Sequence, residues 1–246
     1  MKMRDKSILV GLYLSKFDEQ GVKALGFDSF KEAYNVVGFS LGIKPASIKN
    51  YRDEFDPQFP NKRQGWHKRE MRPYVKEIFN EFKNLEMEQF IKLIKEFVYK
   101  NYELDILMEK IEKKNDKNSS FAKRLVTGLA AEQYFEQNYR QIDIFRDFDV
   151  ENTTKLGCGF DFKLNSRNSD FLAIEVKGIN ENSGNIIMTE KEYSVAKELK
   201  DRYFLYIVKN FREEPFPKYF QDPAYGKLNF KKIELSIKQV SWSVYV

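Results

Sequence analysis

Apolar residues recur at helical spacing through the first half of the chain. Between Ser7 and Glu19, residues Ile8, Leu9, Leu12, Tyr13 and Phe17 fall close to a 3.6-residue period and predict a core helix. Gly21 and Gly26 punctuate the segment after it. Ser29 is a good N-cap for a second helix, with Phe30, Ala33, Tyr34, Val37 and Leu41 on its inner face. Gly42 can take the positive φ that ends that helix, and Pro45 suits the first turn of a third, with Ile43, Ile48 and Tyr51 inward. Pro73 to Tyr102 reads as helical again, carrying Tyr74, Ile78, Phe82, Phe90, Ile94 and Phe97, with a break near Asn84–Leu85.

The charged run from Glu109 to Asn118 closes this half, and a domain boundary is expected beside Lys117, dividing 1–117 from 118–246. Ser119 or Ser120 is expected to cap a helix over Phe121–Asn138, in which Ala122, Leu125, Leu129 and Glu132 form one stripe. An acid on such an inward face needs a partner or a metal. The period then changes to two. Two short apolar runs, Phe160–Leu164 and Phe171–Val176, flank the turn formers Asn165, Ser166, Asn168 and Ser169, which predicts a β-hairpin. Strand alternation puts Glu175 and Lys177 on one face, with Ile174 and Val176 on the other.

Further on, Asn185–Met188 reads as a short strand, and Thr189 with Glu192 as a capping box that gives Glu192 a structural role. Tyr203–Val208 reads as a buried strand, and Pro215, Pro217 and Pro223 interrupt the pattern beyond it. Strands are expected near Ile233–Ile237 and at Val240–Val246, the last at a sheet edge or against the N-terminal region. The fold class predicted is α+β: a helical N-terminal region followed by a sandwich built on a mixed sheet.

Composition narrows the functions. The 246 residues suffice for a sizeable core, and 42% hydrophobic with 15% aromatic content describes a globular chain. Lys and Arg number 42 against 37 Asp and Glu, a net charge of +5 that permits a nucleic-acid partner. The single cysteine, Cys158, excludes an internal disulfide and a Cys-cluster zinc site, and fits a reducing, cytoplasmic setting. The single histidine, His67, excludes paired-histidine ligation. Ser15, Lys16 and Asp18 end the first apolar run too early for a membrane span, so no membrane partner is expected.

Two stretches of the helical half carry nucleic-acid chemistry. The second and third helices resemble a helix-turn-helix, with Lys44, Ser47, Lys49 and Asn50 on the open face of the recognition helix and Arg52 beside them. An ordinary helical hairpin with a solvated polar face has the same pattern. The loop after the third helix places Lys62, Arg63, Lys68, Arg69 and Arg72 around Trp66 and His67, a composition suited to phosphate contacts. Its position directly after the helix pair favours contact with duplex DNA over an idle surface loop.

The hairpin carries the catalytic candidates. Two carboxylates, Asp161 and Glu175, meeting at its end suit a hard cation such as Mg²⁺, and Lys177 beside them can orient a water or offset phosphate charge. A solvated same-face Glu175–Lys177 pair is the bland alternative, but Leu172, Ile174 and Val176 around it argue for burial. Asp161 followed by Glu175-Val176-Lys177 resembles the PD-(D/E)xK nuclease superfamily, with Phe160 where the motif often has proline. The segments TGLAAEQYF, GCGFDF, IEVKG and IIMTEKEY are similar to the NO VEIN C-terminal family of nuclease-like domains, over roughly Phe121 to Phe211.

The resemblance implies an α/β/α restriction-endonuclease-like domain holding Mg²⁺, with Mn²⁺ able to substitute, on Asp161, Glu175 and the Val176 carbonyl. It implies that Lys177 positions the attacking water, that Glu132 joins the site, and that a homodimer cuts both strands of double-stranded DNA in the manner of a restriction enzyme. Two alternatives stay open: a DNA-binding regulator whose nuclease-like domain is only a scaffold, and a nuclease acting on modified DNA or on RNA.

Overall fold

A computed structural model of the chain describes residues 1–99, 118–166 and 170–232. The charged run before Asn118 and its boundary beside Lys117, the helix end expected at Tyr102, Asn168 and Ser169 of the hairpin loop, and both strands expected beyond Lys232 lie outside the described residues.

The helical half is built much as its periodicity predicts. Helix α1 (Met3–Ala24) has a break in helical dihedrals at Asp18. Helix α2 (Phe30–Ser40) is capped by Ser29, whose Oγ accepts from the Glu32 N–H at 3.1 Å. Gly42, at φ +66°, turns the chain into α3 (Pro45–Phe55), which starts on its proline. Helices α4 (Pro73–Phe82) and α5 (Met87–Tyr99) leave the expected break between them. Ile8, Leu9, Leu12 and Tyr13 of α1, Ala33 and Val37 of α2, and Ile48 and Tyr51 of α3 are buried together.

Among the described residues, five strands form one mixed sheet in the order β1-β2-β3-β4-β5. These are β1 (Asp149–Asn152), β2 (Phe162–Asn165), β3 (Leu172–Gly178), β4 (Tyr203–Lys209) and β5 (Phe216–Gln221). All neighbours are antiparallel except β3 and β4, which run parallel with Glu175 opposite Leu205. The crossover between those two is α7 (Glu190–Leu199), as a parallel connection requires. Helix α6 (Asn118–Asn138) packs on the other face, where Phe135 meets Phe162 and Tyr206 at ring-centroid distances of 4.9 Å.

Three expectations need correction. The segment from Asn185 to Met188 forms no strand, because its backbone joins no ladder of the sheet among the described residues. Helix α6 includes Asn118, so Ser119 and Ser120 lie inside it and neither stands at the cap position. The proline-bearing segment after Asn210 does hold a strand, β5: Pro217 is tolerated there because β5 is the last strand of the sheet among the described residues.

The buried cluster runs without interruption from α1–α3 through α6 to the sheet. Helix α2 lies against α6, with Phe39 edge-on to Tyr134 at 5.1 Å. Among the described residues no helix is long and apolar enough to cross a membrane.

Candidate active site

Asp161 immediately precedes β2, and its backbone is stitched to both neighbours: its N–H donates to the Ile174 carbonyl at 2.9 Å, and its carbonyl accepts from the Thr153 N–H at 2.8 Å. The bend that delivers it passes through Gly159, at φ +92°. A Cβ there would lie 2.8 Å from Val195 of α7, so the loop packs on that helix only as glycine. The Tyr203 hydroxyl donates to the Gly159 carbonyl at 3.0 Å and fixes the bend from below.

The side chain of Asp161 then crosses to β3, where its Oδ2 accepts from the Val176 N–H at 2.8 Å. In a strand, the N–H and C=O of one residue point the same way, so the Val176 carbonyl faces this gap too, beyond the start of β2. Glu175 and Lys177 share one strand face, and Lys177 Nζ donates to Glu175 Oε1 at 2.5 Å. Glu175 is 2% exposed.

Glu132 of α6 lines the same open cavity of about 840 Å³ as Asp161, Glu175, Val176 and Lys177. The four candidates therefore meet, although they come from two elements and the loop before β2. Gly178 makes the approach of α6 possible: a Cβ on it would sit 2.6 Å from the Thr127 carbonyl oxygen.

Glu192 also lines this cavity, and sequence reasoning gave it only its cap. It does make the cap, accepting from the Thr189 N–H at 2.9 Å, while Thr189 Oγ1 accepts from the Glu192 N–H at 3.2 Å. The same Oε2 also receives Lys177 Nζ at 3.0 Å. The usable signal was positional: the capping acid of a helix that follows strand β3 lies at that strand's carboxyl end, where α/β sites form. Asn180 and Asn185, on the loop leaving β3, line the cavity without having carried any motif signal.

Burial, together with the neighbouring Glu192 charge, pushes the Asp161 carboxyl up to about 6 despite the Val176 hydrogen bond and Lys177. Burial first, then the Asp161 charge, pushes Glu175 up to about 9. Burial works against the Lys177 ammonium, but Glu175 and Glu192 outweigh it and raise its pKa. Lys177 is thus a fixed cation, and the acids around it are gathered more closely than one ammonium can balance.

That imbalance is what a divalent cation would relieve. Among the described residues no group of three His, Cys, Asp or Glu stands close enough to cage a metal unaided. Two carboxylates and a backbone carbonyl are an all-oxygen set, which fits Mg²⁺, an ion that retains several waters.

The DNA-contact candidates are placed less uniformly. Lys44, just before α3, and Lys49 and Asn50 on it are exposed and Ser47 is half-buried, with Lys49 paired to Asp53 at 2.7 Å. Arg63 is bound by the buried Asp56 through two 2.9 Å hydrogen bonds and by Asp18. Arg72 is held by the buried Glu54 at 2.6 Å. Trp66 is half-buried under the Arg69 guanidinium, 4.1 Å from its ring centroid, with Arg72 at 5.3 Å. Lys62, His67, Lys68 and Arg69 are exposed. The loop thus divides into cations committed to the fold and cations facing solvent.

Residues 131–220 match the family described as Protein NO VEIN, C-terminal. The match runs from the end of α6 into β5 and includes Glu132, Asp161, Glu175, Lys177 and Glu192. It supports the relation to that family which the motif order implied. Neither a curated protein nor a solved structure matches the chain.

Proposed function

We propose that the chain is a Mg²⁺-dependent endodeoxyribonuclease of restriction type that hydrolyses phosphodiester bonds in double-stranded DNA. The observation that carries this reading is the convergence of Asp161, Glu175, Lys177 and Glu132 on one open cavity of about 840 Å³. The family match over residues 131–220 supports a nuclease-like domain. The open face of α3 and the solvent-facing cations of the 62–72 loop support a DNA partner.

Asp161 and Glu175, with the Val176 carbonyl, are the residues that would hold the metal, which when bound polarises the phosphate and offsets the charge that develops on it. Lys177 acts as an ammonium: its Nζ, with two N–H groups held by Glu175 and Glu192, donates the third to the attacking water. The water oxygen bonds to phosphorus while the P–O3′ bond breaks, its electron pair leaving with the 3′ oxygen. The water gives up its proton to the Glu132 carboxylate, and the 3′ oxygen takes up one from a solvent water, whose hydroxide is neutralised when Glu132 returns its proton to solvent. The ends are a 5′-phosphate and a 3′-hydroxyl. Cutting both strands of a symmetric site calls for a homodimer.

The test is incubation of the chain with unmodified plasmid or phage DNA and Mg²⁺ or Mn²⁺, followed by mapping of the ends. Discrete cuts with 5′-phosphates support the reading. Binding without cleavage supports a DNA-binding regulator, and cleavage of modified DNA or RNA alone changes the substrate.

A further inference from the structure

Glu32 is 0% exposed although it lies in the first turn of α2, where acids ordinarily face water. The helix does not need both its oxygens. Ser29 already caps, and Glu32 Oε2 accepts from the Asp28 N–H at 2.7 Å. Glu32 Oε1 instead leaves the helix and accepts from Nδ2 of Asn180. One turn on, Asn35 also reaches out of α2: its Nδ2 donates to the carbonyls of Phe211 at 2.8 Å and Glu213 at 2.9 Å. Helix α2 therefore grips the chain both where it leaves β3 and where it leaves β4.

Those exits are neighbours in register, Gly178 opposite Val208. They are tied further by Ile179 N–H to the Val208 carbonyl at 2.8 Å and Arg212 N–H to the Asn180 carbonyl at 3.1 Å. Asn180 follows Lys177 by three positions and lines the same cavity. The Glu32 carboxylate only accepts, so it dictates which end of the Asn180 amide faces it. In that pose Asn180 Oδ1 is buried with no hydrogen-bond partner among the described residues. An orphaned acceptor weakens the fold, so stability alone does not account for holding Asn180 this way. On the other side, Gly178 is closed in by the Thr127 carbonyl of α6.

We infer that Glu32 and Asn180 are positioning residues for Lys177: through them α2 fixes segment 178–181, and with it the place of the ammonium relative to Asp161 and Glu175. The chemistry of this inference rests on the nuclease reading above, while its geometry does not. The helical layer is then part of the active-site scaffold, and a DNA contact that shifts α2 is felt at Lys177.

The test uses the full chain with Asn180→Ala, Glu32→Ala, the double variant and Glu32→Gln. Four quantities are measured: single-turnover plasmid cleavage in Mg²⁺, DNA binding in Ca²⁺, melting temperature, and the rate at which acetic anhydride labels Lys177, read by mass spectrometry. Each alanine variant is expected to slow cleavage roughly ten- to hundredfold, the scale of a small misplacement, with DNA affinity unchanged and Lys177 labelling altered. The double variant should be no slower than the slower single, as for two residues in one link. Glu32→Gln, whose Oε1 still accepts from Asn180, should stay near the wild-type rate. Wild-type cleavage and labelling in folded Asn180→Ala overturn the inference, as do additive losses that simply follow melting temperature. If the wild type cuts no DNA, the nuclease reading falls, and Lys177 labelling in Asn180→Ala still decides this one. If Glu32→Ala does not fold, Asn180→Ala and Glu32→Gln carry the test.

Discussion

Asp161 Oδ2 and the Val176 N–H are joined at 2.8 Å, which ties the first acid of the site to the residue between the second acid and the lysine. With the Asp161 N–H also bound to the Ile174 carbonyl, the loop before β2 is held at two successive inward positions of β3. The side chain thus has a structural job and a chemical one, and substitutions can separate them.

Asp161→Asn retains a carbonyl oxygen for the Val176 N–H and removes the charge. It should melt at or above the wild-type temperature yet lose Mg²⁺-dependent cleavage. Asp161→Ala leaves a buried donor unsatisfied, so it should also lose about 1–3 kcal/mol of stability. Urea titrations paired with plasmid cleavage check both, and full cleavage by either variant contradicts the site assignment.

Lys177 is placed by two acids, so its loss and its misplacement are distinguishable. Lys177→Ala should slow cleavage by about 10²–10⁴-fold, the usual range for a positioned proton-handling group. Lys177→Arg should fail as well, because a planar fork does not fit where a compact ammonium meets both Glu175 and Glu192. Glu192→Gln keeps an acceptor for the Thr189 N–H, so it should melt close to wild type while cutting more slowly. Single-turnover rates beside melting curves would show it; an unimpaired Glu192→Gln would reduce Glu192 to its cap.

The raised carboxyl pKa values make the metal-free fold sensitive to alkali. Asp161 at about 6 and Glu175 at about 9 bind protons more tightly than in the unfolded chain, where the values are 3.8 and 4.5. The folded state therefore has its full advantage below the unfolded values and loses it as pH rises through about 6 and then toward about 9. In chelator, the urea midpoint should be higher near about pH 5 than near about pH 8, and Glu175→Gln should flatten the alkaline part of the decline. Added Mg²⁺ should restore stability at the higher pH by binding the folded state. A midpoint that rises with pH across this window would refute the direction.

The loop cations should separate into two kinds. Arg69→Ala or Lys68→Ala should weaken binding to all DNA sequences alike and lower the salt slope by roughly one. Arg63→Ala should mainly destabilise the fold, because Asp56 is 1% exposed and loses its two hydrogen bonds from that guanidinium. Asn50→Ala should relax preference at one base pair by about 1–3 kcal/mol. Binding isotherms at several salt concentrations, on specific and random duplexes, measure all three. An Asn50 variant that discriminates like wild type moves base recognition away from α3.

Gly178→Ala would place a methyl group 2.6 Å from the Thr127 carbonyl oxygen. Overpacking of that kind costs about 1–3 kcal/mol, and here it would push β3 away from the helix carrying Glu132. Cleavage per folded molecule should fall together with melting temperature, and an unchanged rate would mean that Glu132 is not needed.

Local pattern alone determined the helices α1–α5, the cap at Ser29, the turn at Gly42, the hairpin with its Glu175–Lys177 face, and the capped start of α7. In each, the deciding interactions lie within a few residues along the chain: a 3.6- or 2-residue period, a hydroxyl beside a free N–H, a glycine at positive φ. Tertiary structure decided the rest. β1 and β5 carry exposed or proline-bearing sequences that become strands only because β2 and β4 offer them an edge, whereas Asn185–Met188 has a strand-like sequence and joins no ladder among the described residues. The second role of Glu192, the commitment of Arg63 and Arg72 to buried acids, and the hold of Glu32 on Asn180 all depend on partners distant in sequence or on another element. A side chain's charge is written in the sequence, but whether it faces water, an opposite charge or a cavity is settled only when distant elements pack against it.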